Sequence, residues 1–235
     1  MRTLLFCLVL LVLGGCATTA EHGPGPFQAP VHRGLPEDPS VERHFQVHDP
    51  WEGFNRSMSA FNDTIDTYAL KPLAQGYRTV TPDFLEEGIG NVFNNVGEVR
   101  NLTNNLLQGK LHAAGVDTAR LLFNSTFGLL GFFDVASKMG LQRNDEDFGQ
   151  TLGAWGLGSG PYLVLPFLGP STVRDGFARI PDSYNGMYTH IDDVRTRNQL
   201  LGLDVLNARA SFLDAERLIQ GDKYTFLRNV YLQNR

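Results

Sequence analysis

The residues best placed to do chemistry lie in one stretch, Phe148 to Ser171, which reads FGQTLGAWGLGSGPYLVLPFLGPS. Its Gly156-Leu157-Gly158-Ser159-Gly160 has the composition of a loop that cradles a phosphate. Such a loop follows a strand, opens a helix, and in its nucleotide-binding form continues into Gly-Lys-Ser/Thr. Here Pro161 and the apolar run Tyr162 to Leu168 follow, without a Lys, so nucleotide binding is set aside. Ser159 would need glycines at 157 and 161 to sit on a nucleophile elbow. Leu157 and Pro161 occupy those places, which leaves Ser159 a turn residue.

The remaining candidates for chemistry are few. His22, His32, His44 and His48 fall in or beside a proline-rich segment, while His112 and His190 are isolated and belong to no H-x-x-x-H pair, so no metal site is expected. Asp145-Glu146-Asp147 lacks the alternating ligands and fixed glycine of a calcium loop and reads as a solvated acidic turn. No catalytic, metal or cofactor-binding residue is expected, and the chain is read as a non-enzyme.

The two cysteines point to a membrane instead. Arg2, the apolar run Leu4 to Leu13 and Gly14-Gly15 form a secretory signal whose hydrophobic part is too short to span a bilayer. Leu13-Gly14-Gly15-Cys16 resembles a bacterial lipobox, so residues 1–15 are expected to be removed and Cys16 to become the acylated first residue. Cys7 leaves with the signal, and no internal disulfide is expected. Several acyl chains anchor stably where one binds marginally. Ala17, in place of the Asp that commonly retains such lipoproteins at the inner membrane, favours an outer-membrane address.

Lys and Arg number 20 against 25 Asp and Glu, a formal net charge of −5 that becomes −6 once Arg2 is removed. A mildly acidic chain without a basic block argues against nucleic acid and against docking on anionic headgroups by charge alone. Any membrane contact has to be apolar. Residues 16–48 hold Pro24, Pro26, Pro30, Pro36 and Pro39 and no apolar period, which describes a lipid-anchored tether. Fully extended as polyproline, at about 3.1 Å per residue, it would reach roughly 100 Å.

An ordered domain is expected over residues 49–235. Asp49-Pro50-Trp51-Glu52 carries the marks of a helix start. Trp51, Phe54, Met58, Phe61, Ile65 and Tyr68 then form one apolar stripe, opposite Asn55, Arg56, Ser59, Asn62, Asp63 and Asp66. The stripe faces either a core or lipid. Thr81-Pro82 opens a second helix striped by Leu85, Ile89, Val92, Val96, Val99, Leu102 and Leu106 and ending at Gly109. Gly88, Gly90 and Gly97 within it predict a kink, a break, or close helix contact. After a helix over 111–126, the segment LLFNSTFGLLGFF at 121–133 is too apolar for a narrow stripe and too short to span a bilayer. It is either a buried central helix or a segment lying in a membrane.

Ser171 is expected to cap a short helix ending before Pro181. A long helix striped by Leu201, Val205, Ala208, Phe212, Ala215 and Ile219 should stop at Gly221, and Asp222 should cap a last one. Tyr162 to Phe167 is the one strand-like run, limited by Pro166 to an edge or extended loop. The fold class is all-α: a single compact helical domain with one irregular Gly/Pro-rich insert.

The lipobox, DPWEGFNR at 49–56, NLTNNLLQGK at 101–110, FNSTFGLLGFFDVASKMGL at 123–141 and DFGQTLGAWGLGSGPYLVLPFLGPS at 147–171 occur in this order. With them the chain resembles the VacJ/MlaA family of outer-membrane lipoproteins, from Asp49 to about Leu232, without the long acidic tail of some members. The resemblance implies a ring- or disc-like helical body, partly embedded in the periplasmic leaflet of the outer membrane and pierced by an amphipathic channel. It implies association with a trimeric porin. It also implies transfer of mislocalised outer-leaflet phospholipid to a soluble periplasmic carrier, which maintains lipid asymmetry and supplies an inner-membrane transporter with MCE and ATPase subunits. Phospholipid would be the transported ligand, with no cofactor and no bond chemistry. Phe123, Phe127, Leu129, Leu130, Phe132, Phe133, Trp155 and Tyr162 are then the candidate lipid contacts. Asn55, Asn62, Asp63 and Asp66 are, by periodicity, the candidate polar face of the channel. The other reading is a structural or scaffolding envelope lipoprotein that transports nothing; its body would stay soluble once Cys16 is replaced.

Overall fold

A computed structural model describes residues 49–219 and 221–235; the expected signal, Cys16 and the tether lie outside the described residues. Helix α1 (Glu52–Ile65) passes through one π-helical turn, Asp66–Leu70, into α2 (Lys71–Val80). The wide turn falls just before Pro72, which withholds an N–H and would crowd the preceding carbonyls of a regular helix. The start of α1 differs from expectation. Trp51 holds the N-cap position without a side-chain bond, and Asp49 instead accepts from Asn55 Nδ2 (2.8 Å), Arg228 Nη1 (3.1 Å) and the Tyr224 hydroxyl.

Helix α3 (Asp83–Leu107) is a single helix of 25 residues, about 37 Å long. Its glycines serve close contact rather than a break: a Cβ on Gly88 would stand 2.2 Å from the Phe132 ring. Gly109, at φ +72°, ends it in the left-handed conformation, and α4 (Leu111–Thr126) packs along it. Next come α5 (Val135–Lys138), capped by Asp134, and α6 (Phe148–Ala154), capped by Asp147.

The insert expected to be irregular is more ordered than that. After α6 only Gly156 to Gly160 stays irregular, and β1 (Tyr162–Leu165) pairs antiparallel with β2 (Gly169–Thr172), Tyr162 opposite Thr172 and Leu165 opposite Gly169. Pro166 does not spoil the strand because it falls in the turn, beside Phe167 at φ +62°. Helix α7 (Val173–Tyr184) is capped by Thr172 rather than Ser171, and it runs through Pro181 instead of stopping before it. Helix α8 (Val194–Ser211) ends earlier than its stripe suggested, with Ala215–Leu218 closing as a 3-10 turn; α9 (Lys223–Gln233) follows Asp222.

Neighbouring elements form a closed circuit: α1 touches β1, β1 touches α7, then α6, α3, α8 and α2, which returns through the π turn to α1. A ring of elements requires such closure. The faces are turned opposite to those of a water-soluble bundle. Among the described residues, the enclosed apolar side chains are Tyr162, Val164, Tyr224 and five alanines. The enclosed polar ones include Asn95, Glu98, Asn101, Asn104 and Asn105 of α3 with Asp117, Arg120 and Asn124 of α4. Phe54 and Phe61 of α1, Leu85 and Leu106 of α3, Leu201 and Val205 of α8 and Phe212 just after it point outward. The core-facing reading of the α1 stripe is therefore overturned for Trp51, Phe54, Phe61 and Tyr68, while Met58 packs against the buried Tyr162 cluster. Holding each such side chain in water forgoes about 1.5–3 kcal/mol, so this exterior is suited to an apolar medium or partner. No described helix is long and apolar enough to cross a membrane.

Candidate functional site

A buried polar network ties α3, α4 and α5 together. Arg120 Nε donates to Glu98 Oε1 at 2.7 Å, its Nη1 to Ser137 Oγ (2.9 Å), and its Nη2 to Asp134 (3.2 Å). Asn101 donates to Glu98 (3.1 Å), and Asn124 donates to Asp134 (3.0 Å) while accepting from the Ala136 N–H (2.8 Å). A buried ion pair holds only where the remaining donors and acceptors are also met, as most are here. Burial alone would push the Asp134 carboxyl up, but bonds from Ser137, Asn124 and Arg120 outweigh it and hold it down at about 2.

This network anchors an apolar loop. Between α4 and α5, Leu129 (φ +52°) and Leu130 (φ +59°) both adopt left-handed backbone, which costs non-glycine residues energy. The turn is held by Gly131 N–H to Asn124 O (2.8 Å) and Phe133 N–H to Gly128 O (2.9 Å). Phe127, Leu129, Leu130 and Phe133 project outward, with Leu130 75% exposed. Phe123 and Phe132 are half-buried, Phe132 in the space left by Gly88. The buried-central-helix reading of 121–133 is thus overturned, and six of the proposed lipid contacts fall on one short segment. Trp155 is also exposed, its indole N–H bonded to Leu107 O at 3.1 Å. Tyr162 is not with them: it is 1% exposed, in a cluster with Val164 and Tyr224, because its place in β1 turns it inward.

The polar face of α1 is used mostly for structure. Asn55 lies fully enclosed; its Nδ2 donates to Tyr162 O (3.0 Å) and its Oδ1 accepts from the Val164 N–H (2.8 Å), completing the free edge of β1. One heptad on, Asn62 does the same for Leu165 O (2.9 Å) and the Phe167 N–H (2.7 Å). Asn55 therefore cannot face a passage. Asp63 pairs with Lys223, and Asp66 with Arg209 at 2.6 and 2.9 Å. Asn62, Asp63 and Asp66 do line a small cavity of about 150 Å³.

Larger cavities, each partly open to the surface, lie between the elements and share walls. One of about 620 Å³ lies between α2, α3 and α8, and Phe93, Asn94 and Asp204 pass it on to a second of about 230 Å³. Arg100, Asp182, Gly186 and Tyr188 join the second to a third of about 630 Å³. Arg100, Asp147 and Arg235 join the third to a fourth of about 400 Å³, which meets the small cavity at Pro170 and Leu227. Arg100 borders three of the five. Burial leaves the Asp182 carboxyl above its ordinary value even though the Phe148 N–H (2.9 Å) and Asn104 (3.2 Å) donate to it.

The sequence reading missed Arg100, Arg179 and Asp182. It also took the acidic run for a solvated turn. Glu146 is instead nearly buried and accepts from Lys110 (2.8 Å) and Gln108 (2.9 Å). Among the described residues, no three His, Cys, Asp or Glu side chains gather as a metal site would need. What the cavities offer is space with a mixed lining in which charged side chains such as Arg100 and Asp182 stand among apolar atoms; what the exterior offers is apolar surface.

Comparison with known proteins gives the same picture a lineage. The profile of the family described as MlaA lipoprotein matches residues 47–235. The chain is 40% identical over 151 residues to an uncharacterized protein of Rickettsia typhi, across 63% of this chain and 60% of that protein's length, so the chain spans less than two thirds of that relative. It is 34% identical over 191 residues to the intermembrane phospholipid transport system lipoprotein MlaA of Escherichia coli strain K12, covering 79% of this chain and 76% of that one. A solved structure described as the structural basis for maintenance of bacterial outer membrane lipid asymmetry is similar with a TM-score of 0.69 and 32% identity, over 79% of this chain and 96% of its own.

Proposed function

The chain belongs to the MlaA lipoprotein family, and we propose on that premise that it is the outer-membrane component of an intermembrane phospholipid transport system. Cys16 carries the lipid anchor, residues 1–15 are the cleaved signal, and residues 16–48 are the tether. The body sits in the periplasmic leaflet with the loop around Leu129 and Leu130 among acyl chains. Phospholipid that has strayed into the outer leaflet passes along the wet interior to a soluble periplasmic carrier, beside a trimeric porin.

One observation supports this reading most: the polar side chains are enclosed and the apolar stripes are outside. Helices with apolar outer faces suit a leaflet, and the interior offers a headgroup the polar groups it needs there. The network does no bond chemistry in this account; it keeps the helices apart and the passage wet. A strain of the source bacterium lacking the gene is expected to show more phospholipid in its outer leaflet and greater detergent sensitivity. Restoring the full-length protein should reverse both. Normal surface lipid and an intact barrier in the deletion strain would overturn the proposal.

A further inference from the structure

Arg100 stands out in the interior for what it lacks. It projects from α3 where three cavities meet, and its Nε is closed off from solvent with no hydrogen-bond partner. Among the described residues, neither Arg100 nor Arg179, which lines the same cavity of about 630 Å³, has an ion-pair partner. The other nearby cations are already matched: Arg143 to Asp145 (2.8 Å), and Arg235 to Asp147 (2.6 Å) and Asp175 (3.6 Å).

The neighbouring carboxylates take their hydrogen bonds from neutral donors, although Asp182 also feels the Arg100 charge at longer range. Asp182 accepts from the Phe148 N–H and Asn104, and Asp204 accepts from the Tyr188 hydroxyl at 2.6 Å. A half-buried guanidinium with no hydrogen-bonded carboxylate keeps donors free, and its planar fork matches a phosphate with two parallel bonds. The cavity's volume is of the size that encloses small ligands.

We propose that Arg100, assisted by Arg179, is an anion subsite that holds the phosphodiester of a lipid headgroup on its way through the interior. This rests on the transport reading above. A phosphodiester oxygen pair would take the donors that no side chain now meets, while the glycerol and acyl chains extend toward the apolar exterior. Inorganic phosphate offers the same oxygens without the chains, so a test has to separate the two.

The test uses the full-length acylated protein in detergent micelles, as wild type, Arg100→Gln and Arg100→Lys. Each is titrated with dioleoyl phosphatidylglycerol, with dioleoylglycerol, which has the same chains and no phosphate, and with inorganic phosphate. The wild type is expected to bind phosphatidylglycerol at least about tenfold more tightly than dioleoylglycerol, the size of a charge-assisted bidentate contact. Arg100→Gln should remove about that factor for phosphatidylglycerol and leave dioleoylglycerol unchanged, with Arg100→Lys between. Equal wild-type affinity for the two lipids would overturn the subsite, as would an Arg100→Gln loss that strikes both alike. Inorganic phosphate binding as tightly as phosphatidylglycerol would reassign the site to free phosphate and overturn the headgroup. A wild type that binds neither lipid would instead bring down the transport reading on which the subsite rests.

Discussion

Asn55 and Asn62 perform a backbone's task with side chains. Seven residues apart on α1, they supply the donors and acceptors that a third strand would have given β1. Replacing Asn55 with Ala strands the Tyr162 carbonyl and the Val164 N–H in the interior, where each unmet group costs about 1–3 kcal/mol. Asn55→Ala is expected to lower stability by about 2–4 kcal/mol, read as a shift in denaturation midpoint in micelles. Asn62→Ala should cost less, since its bond to Phe167 is exposed. Helical periodicity put both residues correctly on the polar face of α1. It could not say that the face is occupied by a hairpin, because period reports direction along a helix and not what lies there. Tyr162 was misplaced for a related reason: its inward turn depends on the pairing of β1 with β2, a contact between residues that local sequence does not announce.

Helices α1 and α3 were legible as elements because long apolar stripes mark them. Which stripe faces in was not legible, since an apolar face has the same period whether it meets a core or lipid. A compositional signal was available: the polar face of α3 is rich in Asn and α3 contains no Lys, whereas a water-facing stripe is normally charged. The short α6 and the second strand, β2, escaped notice because tertiary partners, not propensity, hold them. The bonds of Asp134 to Arg120 and Asn124 of α4 and Ser137 of α5 make a prediction with a definite sign. A carboxyl held at about 2 in the folded state, against about 3.9 unfolded, contributes stability that is present above the unfolded value and lost as pH falls toward 2. With allowance for its partial exposure, the loss is on the order of 1–2 kcal/mol. Denaturation midpoints between pH 6 and pH 2 should fall below pH about 4 in the wild type. Asp134→Asn should start lower and lose less over that range.

At the scale of the whole molecule, a closed circuit of elements with enclosed polar side chains adjoins linked cavities and presents apolar side chains outward. That inversion joins the residue-level clamps to the transport proposal: clamps and network hold the ring open, the interior stays wet, and the outside belongs with acyl chains. The chain carries two tryptophans, Trp51 at the start of α1 and Trp155 at the end of α6, and both are exposed. They report the medium around the body directly. The full-length protein in nanodiscs made with phospholipids brominated on their acyl chains is compared with the same discs exposed to aqueous iodide, using Trp51→Phe and Trp155→Phe to separate the signals. The account predicts that brominated chains quench both tryptophans and iodide quenches neither; quenching by iodide with no effect of bromine would contradict it.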